Sequence, residues 1–280
     1  MDTFWIILAG ILVALPCALL GCFLLLRKMT MIGDAISHAV LPGLVLGYLL
    51  TEARSPIILM IGAGFFGVLI TILIELLQKK AKMQTESSIG ISFTFLFAVG
   101  IILIAAFAGK IDLDQDCVLY GDIGYITLKL GFWNIPTTIL TSGVWFLVVL
   151  IFILVNYTRL WITTFDENYA KVIGISVAFS HYSLMSAVSF TVVLSFEAVG
   201  AILVIAFLVV PAATAYLVSK KMNFMLFFSA LISVVGIVMG YFLAVVLNAS
   251  IAGSMAVCLG FLFILTLFYS QIKKYYLKNM

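Results

Sequence analysis

Asp34 and His38 stand four residues apart in the run Met31-Ile32-Gly33-Asp34-Ala35-Ile36-Ser37-His38-Ala39-Val40-Leu41-Pro42-Gly43. On a helix that spacing puts both side chains on one face, one turn apart. A carboxylate and an imidazole so placed make half of a divalent-metal site or a proton relay; the plainer alternative is a bonded pair that holds two helices together. Counting 1.5 Å per residue from Lys28 puts His38 about 15 Å into a bilayer, near its midplane. Gly33, Ala35, Ser37 and Ala39 are small enough to let another helix, or the same helix of a second copy, come close. Pro42-Gly43 frees backbone groups, which is tolerable only inside protein or beside a watery cavity.

Other residues carry weaker signals. Glu75 and Glu197 lie near the ends of apolar runs, where a carboxylate can reach the headgroups, and are read as structural or gating groups. His181, in Ser180-His181-Tyr182-Ser183, is a possible secondary group, although a lone imidazole there more often serves packing. Asp112, Asp114 and Asp116 open like a calcium loop, but Cys117 replaces the needed glycine and Ile123 the needed glutamate. Together with Asp122 they form an acidic lip, over about 109–131, that would attract cations or dock a partner, or is simply solvated. A further segment, about 158–174, holds a short helix of about nine residues. Thr164 and Glu167 form a capping box, Asp166 and Glu167 are acids in the first turn, Lys171 is near the end and Gly174 closes it. Such a helix is too short to stand alone in water, so it must pack on something.

These residues are embedded in a chain of 280 residues that is 65% hydrophobic and 10% charged. Soluble domains carry about 25% charged residues. Apolar runs long enough to cross a bilayer occupy 4–26, 31–50, 56–77, 87–108, 136–157, 175–195, 198–219, 224–247 and 250–270. The expected fold is therefore all-α, one polytopic transmembrane domain over 1–280 with about eight to nine spans; the pair around Glu197 could instead be a re-entrant hairpin. If the first span runs inward, Arg27, Lys28, Lys79, Lys80, Lys82, Arg159, Lys171, Lys220, Lys221, Lys273, Lys274 and Lys278 face the cytoplasm, leaving only Arg54, Lys110 and Lys129 outside. That bias predicts an outside N-terminus and a cytoplasmic C-terminus. The net charge of +3 is accordingly a topology signal and gives no reason to expect nucleic acid. The four cysteines show no CxxC spacing and suggest no disulfide framework.

The chain carries no phosphate loop of the form G-x-x-x-x-G-K-[ST] and no H-E-x-x-H. It reads as a non-enzyme, and any ATP that drives it would be bound by another polypeptide. With these residues in view, the chain resembles the permease subunits of bacterial ATP-binding-cassette importers for manganese, zinc and iron. The resemblance rests on Gly33-Asp34-x-x-x-His38-Ala39-x-Leu41-Pro42-Gly43, on Val118-Leu119-x-Gly121-Asp122-Ile123, on Phe165-Asp166 through Gly174-Ile175, and on Glu197-Ala198-Val199-Gly200-Ala201-Ile202-Leu203-Val204 continuing to Pro211-Ala212-Ala213-Thr214-Ala215. It implies a bacterial plasma-membrane protein paired with a second permease copy or a similar permease, with a cytoplasmic ATPase dimer and an extracytoplasmic metal-binding protein. It also implies Asp34 and His38 as ligands of transported Mn2+ or Zn2+, with no permanently bound cofactor. The segment holding Thr164, Asp166, Glu167, Tyr169, Ala170 and Gly174 becomes the coupling helix that meets the ATPase. The binding protein would dock near Asp112, Asp114, Asp116 and Asp122. The rival readings are a gradient-driven secondary transporter of divalent cations and a non-transporting scaffold.

Overall fold

The structure is a computed structural model that describes residues 2–51, 56–107 and 136–278. Ten helices account for nearly all of them: α1 (Asp2–Leu26), α2 (Met31–Thr51), α3 (Pro56–Lys80), α4 (Thr85–Phe107), α5 (Thr137–Phe165), α6 (Glu167–Val172), α7 (Val177–Val199), α8 (Ala201–Val218), α9 (Met222–Leu247) and α10 (Ile251–Lys278). Helices are what a bilayer demands, because each satisfies its backbone polar groups internally. Among the described residues, eight helices have an apolar stretch long enough to cross a membrane. At 21 residues α2 is about 32 Å long and is also apolar over Met31–Gly47. The all-α polytopic expectation holds, with span limits close to those read from the sequence.

Two details are informative. The expected span at 136–157 belongs to a helix of 29 residues that continues to Phe165. The pair around Glu197 is two full-length helices, α7 and α8, separated by Gly200 alone. Gly200 takes φ +78°, a left-handed conformation that favours glycine. Glu197 lies on α7, and its side chain is outside the described ones.

The chain divides into two compact units. One comprises 1–28, 116–155 and 195–280; the other comprises 29–115 and 156–194. In the first, α8 and α9 pack on each other and each packs on both α1 and α10. Glycines set the closeness: a Cβ at Gly21 would lie 1.9 Å from the Leu208 carbonyl oxygen, and one at Gly240 would lie 2.4 Å from Met255 Cα. Hydroxyls supply the polar contacts, as where Ser229 Oγ donates to the Ala18 carbonyl at 3.1 Å. Small residues and such bonds are how helices adhere where lipid is as apolar as leucine.

In the second unit α2 lies against both α3 and α4, and α3 touches α4. A Cβ at Gly43 would fall 2.5 Å from the Gly62 carbonyl oxygen, and one at Gly100 would meet Leu41 and Pro42 at 3.0 Å. The middle of α2 is thus gripped from two sides, which fixes the turns that carry Asp34 and His38.

Candidate ion pathway and coupling helix

On α2, Ile32, Ala35, Ile36 and Ala39 are buried. Asp34 and His38 occupy a different face and remain partly open, with 42% and 33% of their side chains exposed. His38 Nε2 lies 3.6 Å from Asp34 Oδ1. That is too long for a hydrogen bond. It is close to the separation of two donors that each stand about 2.1 Å from one ion near the tetrahedral angle. Such a spacing would fit a shared cation as well as a simple ion pair.

Two aromatic rings of α4 hold the imidazole. Phe93 lies 5.6 Å from it between centroids, tilted by 36°, and Phe97 lies 5.5 Å away, edge to face. Sequence reasoning missed both, although their i, i+4 spacing on an apolar helix was a signal of a shared face. Pro42, inside α2, has no N–H to give to the His38 carbonyl, so that oxygen is released from the helical ladder beside the Asp34–His38 pair. Among the described residues no group of three or more His, Cys, Asp or Glu could hold a metal.

The second candidate region is α6. Its N-cap is Asp166, whose Oδ1 accepts the Tyr169 N–H at 2.9 Å. This corrects the expected capping box. Thr164 belongs to the last turn of α5, and its Oγ1 donates to the Leu160 carbonyl at 2.6 Å. The cause is the length of α5, which runs two residues too far for Thr164 to begin a new helix. The C-terminal end matches expectation. Gly174 N–H donates to the Lys171 carbonyl and Ile175 N–H to the Ala170 carbonyl, at 3.2 and 2.9 Å, with Gly174 at φ +80°. That is a Schellman closure. Ala170 is fully buried, whereas Tyr169 is 54% and Val172 84% exposed. Phe165, Asp166, Glu167, Lys171 and Ile173 are exposed around them. A surface mixing aromatic, aliphatic and charged groups suits a protein partner better than lipid.

A third cluster ties α3 to α7. Tyr182 donates its hydroxyl to Glu75 Oε2, and Lys79 Nζ pairs with Glu75 Oε1. His181 is next to Tyr182, with its ring 5.5 Å away. Glu75 is thus hydrogen-bonded by Tyr182 and paired with Lys79. Asp112, Asp114, Asp116 and Asp122 lie outside the described residues.

The ABC 3 transport family matches residues 2–270. This chain belongs to that family. It is 41% identical over 265 residues to the manganese transport system membrane protein MntD of Bacillus subtilis, covering 91% of this chain and 88% of the relative. It is 38% identical to the zinc transport system membrane protein TroD of Treponema pallidum, covering 96% of this chain and 74% of that one. Among solved structures it is similar to PsaBC from Streptococcus pneumoniae in complex with Fab, with a TM-score of 0.79 and 32% identity over 94% of this chain and 89% of that chain. The chain is a multi-pass membrane permease of an ABC transporter family.

Proposed function

We propose that this permease imports a divalent transition metal, manganese or zinc, by alternating access, and that a separate ATPase supplies the energy. The observation that carries the reading is the Asp34–His38 pair, set 3.6 Å apart on a partly open face of a membrane helix. Leaving an acid half-open in a bilayer costs at least a few kcal/mol unless a partner or a water-filled path meets it. A second permease copy meets that need. Two copies facing each other would bring two carboxylates and two imidazoles to one ion, a mixed oxygen and nitrogen set that suits manganese or zinc. The relatives named for manganese and zinc transport support the same cargo.

The exposed, capped α6 would sit in the ATPase as the coupling helix. An outside N-terminus and a cytoplasmic C-terminus follow from the cation bias and put α6 on the ATPase side. An extracytoplasmic metal-binding protein would deliver the ion near residues 109–131. The permease, its ATPase and its binding protein reconstituted in vesicles should accumulate manganese or zinc only when ATP is on the cytoplasmic side. Accumulation driven by an ion gradient in the absence of the ATPase would overturn this function.

A further inference from the structure

The connection from α6 to α7 contains only Ile173–Ser176, and it is not a free hinge. The Schellman bonds close its first half. Ser176 Oγ then accepts the Phe179 N–H at 3.3 Å, capping the start of α7. A displacement of α6 is therefore delivered to the base of α7, where Tyr182 lies less than two turns further on.

From there α7 runs against α3 at two levels. At the first, the Tyr182 hydroxyl donates to Glu75, whose other oxygen is held by Lys79. At the second, Ser189 Oγ donates to the Gly64 carbonyl at 3.2 Å. Glycine makes this second level tight: a Cβ at Gly67 would stand 1.8 Å from Ser189 Oγ, and one at Gly64 would stand 2.4 Å from the Phe190 ring. The same point meets α2 as well, since that Cβ at Gly67 would also lie 3.2 Å from Ile36 Cγ2, so α2 and α7 converge on this turn of α3. Ile36 is fully buried and sits between Asp34 and His38. Close-packed helices transmit displacement because they cannot be compressed.

We propose that α3 is the lever between α6 and the ligand-bearing helix α2, and that the Tyr182–Glu75 hydrogen bond latches α7 to it. The latch locates the contact through which nucleotide-driven motion reaches Asp34 and His38. It rests on the reading of α6 as the ATPase contact. Glu75 and Tyr182 are positioning residues, which touch no ion but fix how far α2 moves when α6 moves. A hydroxyl-to-carboxylate bond suits this task, being stronger than a neutral pair and directional. Lys79 pairs with the other carboxylate oxygen and holds it in place.

The test is the number of manganese ions imported per ATP hydrolysed, measured with the whole complex in vesicles. Tyr182→Phe keeps the ring and removes the hydroxyl. It should leave assembly and ATP hydrolysis near wild type and lower that ratio roughly tenfold, the worth of one hydrogen bond to a charged group. Glu75→Gln should lower it in the same direction, and the double variant should lose no more than the worse single one, as expected for residues acting as one unit. An unchanged ratio in both single variants, with the complex intact, would overturn the latch. Additive losses in the double variant would also overturn it. The reading of α6 fails differently: α6 variants would then keep the ATPase bound, or the wild-type complex would show no ATP-driven uptake at all.

Discussion

The two compact units of this chain solve different problems with different residues. In the first, described ionisable side chains such as Arg27, Lys28, Lys220, Lys221 and Lys273 stand at or near helix ends. Its interior is made of close glycine contacts and hydroxyl bonds, such as Ser229 to Ala18 and Tyr241 to Thr3. In the second, a carboxylate and an imidazole face each other along α2, a second carboxylate is held by tyrosine and lysine, and a capped helix stands exposed. Charge inside a membrane is expensive, so among the described side chains the second unit is the one to test for a role in moving an ion, with the first tested as the frame.

That division can be broken most decisively at α2. Asp34→Asn and His38→Ala should each lower metal uptake by more than about a hundredfold while leaving the complex assembled, since even the outer partners of metal ligands are worth tenfold to a hundredfold. Uptake assays beside a size-exclusion profile check this, and near-normal uptake in both variants would remove the ion pathway from α2. A frame residue should behave in the opposite way. Gly21→Ala, which drives a Cβ into the Leu208 carbonyl, should cost about 1–3 kcal/mol of stability. It should lower the melting temperature in detergent without altering which metal is preferred. A changed preference would show that the first unit also handles the ion.

Smaller effects refine the picture within the second unit. Asp166→Ala removes the cap of α6 and should cost that helix about 1 kcal/mol. It should reduce co-purification of the ATPase roughly fivefold at unchanged permease yield, and full recovery of the ATPase would count against α6 as the contact. Phe97→Leu removes one ring from His38, an aromatic contact worth about 0.5–1.5 kcal/mol. The metal concentration for half-maximal uptake should rise about two- to tenfold with little change in maximal rate.

Much of this was legible in the sequence. Bilayer thickness fixes how long an apolar run must be, so the ends of α1 at Leu26 and of α9 at Leu247 could be read from hydropathy alone. The Asp34–His38 spacing was legible because helical periodicity turns four residues into one turn. The cap of α6 was misplaced by two residues, since nothing in Arg159–Thr164 stops the helix that precedes it. The Phe93 and Phe97 contacts depend on how α4 packs against α2, which periodicity does not specify. The bond from Tyr182 to Glu75 joins residues 107 apart in the chain, and no local pattern announces it. Local rules located the Asp34–His38 pair and the helices, whereas tertiary packing decided what surrounds that pair and what could move it.

The central claim is that His38 and Asp34 take hold of the metal. It is tested most directly by electron spin echo spectroscopy of Mn2+ bound to the assembled permease complex. Wild type should show nitrogen coupling from a directly bound imidazole, and His38→Ala should abolish it. The same coupling in His38→Ala as in wild type would contradict the assignment.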